Sequence, residues 1–426
     1  MTGEGVYKGH RAPQRYQRQK ASTVSDGSNN NNENQQRKAV MRVTTLATTF
    51  LTLALGITAV ARAEDREPDR PAEVGGTPTN NPKLSPRSDP MPTGWSQKTI
   101  NINVGGVQRK AIADGPGSGT YSCEPVPYPI IISYHGRGAS AARMRELSHF
   151  HDRKYCSVVL YPQGLDGLGR DSTEMSHGTL KSCWQGAPYC TPKVPGTGPP
   201  ETIRDDVAFF DALIDLVRTE YRSWAAMDRI YVAGKSNGAE FANYLACYHG
   251  DQIAAIAPVS GPFYYATAGL DADPSCSPRH PIPVINFHGD ADKAVKYQGS
   301  GRWESCLGDL CDPPGRVARI PNLPKWAAAW GGHNGCTLKD LEVPVPGAVQ
   351  PSSGQETFLS RYYKCNGDVE VLHYRTQNGL HDWPSLSPND DNTQDDQTFA
   401  TVPAVLGTMD ATEVIVNFFK RFTLRP

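Results

Sequence analysis

Net charge is almost absent from this chain. Its 426 residues carry 43 Lys and Arg against 44 Asp and Glu, a net of -1 at pH 7. Polyanions and anionic membrane surfaces are recognised by clustered positive charge, so neither nucleic acid nor a stable membrane association is expected. Metal-ligand spacing is absent too. Ten cysteines, from Cys123 onward, include no C-x-x-C pair and no zinc pattern, and no metal or cofactor is expected. An even number of scattered cysteines suits disulfides in an exported protein. No internal repeat occurs, which removes solenoids and propellers. Long apolar runs are nearly absent, with one exception.

That exception is MRVTTLATTFLTLALGITAVARA, residues 41–63. One basic residue precedes an apolar core, and Ala61-Arg62-Ala63 stands before Glu64. This is the layout of a signal peptide, so a secreted, extracellular protein is expected. The rival reading is a signal anchor, but six threonines dilute the stretch. Residues 1–40 are polar and basic with the run Asn29 to Asn32, and are expected to be a disordered extension. Residues 64–92, rich in Pro, Asp, Arg and Asn, read as a linker. The expected folded domain is 93–426.

From Trp95 on, short apolar runs alternate with helical patterns. IIISY (130–134) and SVVLYP (157–162) are β-branched and apolar, and DDVAFFDALIDLVRTEY puts Val207, Phe210, Leu213, Ile214 and Val217 on one helical face. Strands follow at Ile230, IAAIAPVS, PVINFHG and VEVLHYR, and a last helix carries Val414, Ile415, Phe418 and Phe419. The pattern predicts an α/β fold, a mostly parallel central sheet with helices on both faces. In such sheets the site forms beyond the C-terminal ends of the strands.

The loop after Ile230–Ala233 reads Gly234-Lys235-Ser236-Asn237-Gly238, a G-x-S-x-G between a strand and a helix. A turn that tight crowds the residues two positions either side of the serine, and glycine relieves it. Ser236 is the expected nucleophile. After Phe287 the loop offers Asp290 and Asp292; after Tyr374 it offers His381. The chain order Ser, Asp, His is that of α/β-hydrolases. Asp292 leads as the acid, with Asp290, a common turn residue, as the alternative. His249, His280 and His288 fall too early in the chain for the base, His333 reads as a helix end, and His373 lies within a strand. The oxyanion hole is expected from the N–H groups of Asn237 and of Arg137 or Gly138, with Arg137 preferred and His135 shaping that loop.

YHGRGASAARM, SCWQGAPYC, DDVAFFDALIDLV, RIYVAGKSNGAEF, APVSGPFY, FHGDADKAVKY and GLHDWPS together resemble the fungal feruloyl esterases, most closely the C-type group. Their esterase family also holds acetylxylan esterases and polyhydroxybutyrate depolymerases, within the α/β-hydrolase superfamily. The resemblance runs from about Trp95 to Phe422 and sets Ser236, Asp292 and His381 on the nucleophile, acid and base. It departs at Asn237 and Ala239, which bear on the width of the site. The tannase-like group carries cysteines before the serine and the histidine; Lys235 and Leu380 stand there in this chain.

The resemblance implies a secreted serine esterase that cleaves feruloyl esters of arabinoxylan or its oligosaccharides. Rival readings are an acetylxylan esterase, a polyester depolymerase, or an inactive wall-binding protein on the same fold. Trp184, Phe263, Tyr264 and Trp383 are candidates for the walls of an aromatic slot, each equally open to ordinary packing. Cys183–Cys190, Cys306–Cys311, Cys336–Cys365 and Cys247–Cys276 are plausible disulfide pairs, but the sequence does not fix the connectivity.

Overall fold

Ile130, Ile131 and Ile132 send their side chains alternately into two separate cores, because successive residues of a strand face opposite sides of a sheet. The computed structural model describes residues 97–426 except 116–122, 124–126, 168–180, 186–204, 223, 263–275, 277, 300–319, 351–353, 393–405 and 425–426. The expected extension, signal segment and linker lie outside the described residues, as do Phe263, Tyr264, Cys190, Cys306 and Cys311.

Twelve strands are described: β1 (Lys98–Val104), β2 (Val107–Asp114), β3 (Tyr128–Tyr134), β4 (Val158–Pro162), β5 (Asp166–Gly167), β6 (Lys181–Ser182), β7 (Ala225–Lys235), β8 (Ala255–Val259), β9 (Val284–Gly289), β10 (Leu338–Gln350), β11 (Gln355–Tyr363) and β12 (Val371–Thr376). Ten form one sheet in the order β1-β2-β4-β3-β7-β8-β9-β12-β11-β10, and β5 pairs with β6. The expectation of a mostly parallel sheet holds for the centre. From β4 to β12 the five pairings are parallel. At the margins the sheet is mixed: β1 and β2 on one side, and β10 and β11 on the other, pair antiparallel.

The helices among the described residues are α1 (Ala141–Ser148), α2 (Asp206–Glu220), α3 (Asn237–His249), α4 (Leu323–His333) and α5 (Ala411–Phe419). One core joins Ile130, Ile132, Val158 and Leu160 to Phe210 and Leu213 of α2, Phe241 and Leu245 of α3, and Trp326 of α4. The other joins Ile131, Val159 and Tyr161 to Met144 of α1 and Ile415 and Phe419 of α5. The parallel strands are therefore covered on both faces, as their largely apolar sequence requires. Asp205, Asn322 and Asp410 cap α2, α4 and α5 by accepting first-turn backbone N–H groups.

Disulfides join Cys247 to Cys276 and Cys336 to Cys365, both among the plausible pairs, and Cys123 to Cys156, a pair the sequence reading did not propose. Cys183 is also disulfide-bonded. No helix among the described residues is long and apolar enough to cross a membrane.

Candidate active site

Ser236 sits between β7 and α3 with φ 55° and ψ -122°, a conformation that costs a non-glycine residue about 1–3 kcal/mol. The flanking glycines explain how the turn closes. A Cβ on Gly234 would lie 2.2 Å from the Gly238 carbonyl oxygen, and one on Gly238 would lie 2.2 Å from that of Tyr134. The Ser236 N–H donates to Val259 O at 2.9 Å, tying the turn to β8. Ser236 is half-buried, so its side chain keeps access to a ligand.

Asp292 and His381 come together from the ends of the adjacent strands β9 and β12. His381 Nδ1 donates to Asp292 Oδ2 at 2.7 Å, with the histidine side chain 14% exposed and the carboxylate fully buried. The other oxygen, Oδ1, accepts the N–H groups of Ala294 and Val295 at 2.8 and 2.7 Å. Burial alone would raise the Asp292 carboxyl. The charge on His381, with hydrogen bonds from His288 and His381, holds it below the usual carboxylate range instead. Asp290 has other partners: it accepts from Arg375 at 2.6 Å and from the Asn378 N–H at 2.7 Å, bracing the same loop pair.

Close packing aims the histidine. A Cβ on Gly289 would meet the Gly379 carbonyl at 2.2 Å, so β9 ends directly against the segment before His381. Ala291 N–H donates to Gly379 O at 3.0 Å, and Ser260 Oγ donates to Asp382 O at 2.8 Å. Lys235, immediately before Ser236, reaches the far side of this loop and pairs with Asp391 at 2.9 Å, the two side chains 8% and 11% exposed. Asp391 also accepts the Trp383 N–H at 3.1 Å. Sequence reading missed this tie, because a lysine inside an elbow motif gives no clue to its partner 156 residues on.

On the other side of Ser236 lies the loop after β3. A Cβ on Gly136 would lie 3.3 Å from Ser236 Cβ. Gly138 N–H donates to Ser182 O at 2.7 Å, which ties the loop to β6. Asn237 opens α3, where first-turn N–H groups lack intrahelical acceptors. Its side chain accepts the Trp184 N–H at 2.6 Å and donates to Glu240 at 3.0 Å. His135 shapes the loop from inside: Nδ1 bonds Gly136 O at 2.7 Å, and Nε2 accepts the Gly164 N–H at 2.9 Å. Burial pushes its imidazole down to about 4.

Trp184 and Trp383 do not offer exposed rings. Trp184 is fully buried, stacks on Phe241, meets Tyr134 edge-on, and donates from Nε1 to His135 O. Trp383 is 1% exposed, meets Phe150 edge-on and donates to Thr412. Each ring packs within the fold beside a site loop, in line with the packing alternative held open for both. Among the other histidines, His373 is held in β12 between Asn286 and Tyr297, and His333 closes α4. His288, set aside because it falls early in the chain, touches Asp292 with Nε2 at 3.1 Å from Oδ2. Its spacing of four residues from that acid was the available signal. Among the described residues, His149, His151 and Asp152 have ligand atoms within 4.8 Å of one another. They lie at the surface end of α1, apart from the strand-end loops that carry Ser236, Asp292 and His381.

No protein-family model matches the chain. Feruloyl esterase B of Piromyces equi is 29% identical over 245 residues, covering 57% of this chain and 37% of that protein. The bifunctional acetylxylan esterase/xylanase XynS20E of Neocallimastix patriciarum is 24% identical over 172 residues, covering 40% of this chain and 20% of that protein. The chain thus spans well under two thirds of either relative. Among solved structures, the acetyl xylan esterase from Aspergillus awamori is similar with a TM-score of 0.39 at 11% identity, over 76% of this chain and 99% of that one.

Proposed function

We propose that this chain, which is similar to a feruloyl esterase and an acetylxylan esterase/xylanase, is a secreted serine carboxylic ester hydrolase acting on feruloyl esters of plant cell-wall polysaccharides such as arabinoxylan. The observation that carries the chemistry is a strained serine at one strand end and, from two other strand ends of the same sheet, a His381 hydrogen-bonded to a buried Asp292. Asp292 accepts from Nδ1, which leaves His381 Nε2 to take the Ser236 proton. Ser236 Oγ then attacks the ester carbonyl, and the N–H groups of Asn237 and Arg137 hold the oxyanion. The sugar alcohol leaves with the proton from His381. Water, deprotonated by the same imidazole, attacks the acyl-enzyme and releases the acid.

An ordered serine, histidine and aspartate argue against an inactive wall-binding protein on this fold. Disulfide-bonded cysteines support an oxidising destination. The acyl group rests on the feruloyl esterase relative. A second reading, an acetyl ester, is favoured by the burial of Trp184 and Trp383, which leaves no aromatic slot wall among the described candidates. Paired substrates with one leaving group, 4-nitrophenyl ferulate and 4-nitrophenyl acetate, decide between them. The feruloyl reading expects a preference of roughly ten- to hundredfold in kcat/KM for ferulate. A preference for acetate removes it and leaves the ester hydrolase. In both assays Ser236→Ala should lower kcat by on the order of 10⁶. Retention of a tenth of the activity would remove the nucleophile.

A further inference from the structure

We propose that His288 is a positioning residue for the acid of the Ser236–His381–Asp292 machinery, a proposal that rests on that reading of the site. Asp292 Oδ2 accepts from His381 on one side and faces His288 Nε2 on the other, at 2.7 and 3.1 Å. His288 Nε2 also lies 2.7 Å from the carbonyl oxygen of Val295. A carbonyl can only accept, so Nε2 carries a proton, shared between that oxygen and the carboxylate. Nδ1 of the same ring is buried without a hydrogen-bond partner. The ring is therefore oriented from its Nε2 side alone, by the loop it helps to shape.

The geometry makes a closed set. Oδ1 is gripped by two backbone N–H groups of the turn after Asp292. Those bonds fix one oxygen but allow the carboxylate plane to swing about it. His288 supplies the second point of attachment, on Oδ2, from the strand that precedes the turn. With both oxygens held, the lone pair that meets His381 Nδ1 keeps its direction while charge develops on the imidazole. The side chains of His288 and Asp292 are both fully buried, so water cannot replace the donor. The Tyr297 ring, 6.0 Å from that of His288, is the neighbouring aromatic face.

The test compares His288→Leu, which removes the donor at similar bulk, with His288→Gln, which keeps an amide N–H near the place of Nε2. His288→Asn, whose amide is too short to reach, backs up the leucine variant should that fail to fold. Asp292→Asn is the reference. For each, kcat and KM are measured on 4-nitrophenyl acetate, and the downfield proton resonance of the His381–Asp292 hydrogen bond is followed by NMR. Loss of a hydrogen bond to a charged partner predicts a roughly ten- to hundredfold fall in kcat for leucine and asparagine, at near-constant KM. Their downfield resonance should shift or vanish, and glutamine should recover both most of kcat and the resonance. Equal losses in leucine, asparagine and glutamine overturn the proposal, as does a wild-type kcat with the resonance in place in either donor-free variant. If Asp292→Asn keeps full activity, the acid assignment fails and His288 falls with it. If Asp292→Asn is crippled while donor-free His288 variants are normal, only the His288 proposal fails.

Discussion

Replacing Lys235 with methionine should loosen the loop that carries His381 without altering Ser236 itself. The Lys235–Asp391 pair is 2.9 Å long, and its side chains are 8% and 11% exposed, so it belongs with buried rather than surface ion pairs. Removing one member of such a pair costs about 3–5 kcal/mol, because the survivor is left desolvated and unpaired. Asp391 keeps the Trp383 N–H as a donor, which places the methionine variant near the lower limit, at about 3 kcal/mol. Asp391→Asn retains an acceptor for that N–H while leaving Lys235 without its counter-charge, and should cost a similar amount. The double variant carries neither orphaned charge. It should lose at least about 1–2 kcal/mol less than the sum of the singles, well beyond the additivity expected of independent sites. Urea denaturation of the disulfide-intact protein measures all four corners of the cycle, and initial rates on 4-nitrophenyl acetate report the loop. If the two single effects add to within about 0.5 kcal/mol, the two side chains do not act as a pair, and the argument that Lys235 holds the loop is refuted.

Asp292→Asn should cut kcat by orders of magnitude, since an amide cannot hold the reactive histidine tautomer, whereas Asp290→Asn should mainly lower stability; matched kinetics that reverse this order would move the acid to Asp290. Trp184→Ala should cost about 3–5 kcal/mol, as removal of a buried tryptophan does, and slow ferulate and acetate esters alike; a selective loss on ferulate alone would restore the ring to the substrate. His135 and His373 are buried, with folded values lowered to about 4 and about 3. Between those values and the ordinary histidine value near 6.5 the unfolded chain binds more protons, so stability rises with pH through this window and is lost as pH falls through it. Urea midpoints measured from pH 7 to pH 4 should fall steadily, and His135→Gln should flatten the slope.

The parallel centre was legible because its strands carry short apolar runs, unbroken in β4 and β8 and interrupted by charged residues in β7 and β12. The margins were not. The β10 segment, LKDLEVPVPGAVQ, holds Pro344 and Pro346, which argue against a central strand. An edge strand tolerates them because one side has no ladder to complete, and Leu341 and Val343 lie exposed there. The hairpin β1–β2 had a usable signal in Gly105-Gly106, both at positive φ, between short alternating runs. The placement of Ser236, Asp292 and His381 after strand ends could be read from the sequence, and the structure hydrogen-bonds His381 to Asp292. Asn237's hold on Trp184, the Lys235–Asp391 pair and His288 could not be read, since each depends on which side chains meet after loops far apart in sequence have docked. For the two tryptophans packing and substrate contact both stayed open, because nearness to a site loop does not say whether a ring lies above it or beneath it.

The contact between Gly238 and the Tyr134 carbonyl leaves no room even for a methyl group. The serine turn and the loop after β3 are therefore locked backbone against backbone. The segment before His381 is held in the same way, Gly289 against the Gly379 carbonyl, with Ser260 Oγ donating to the Asp382 carbonyl beside it. Turnover should thus persist on warming until the sheet itself opens, because glycines close both joints.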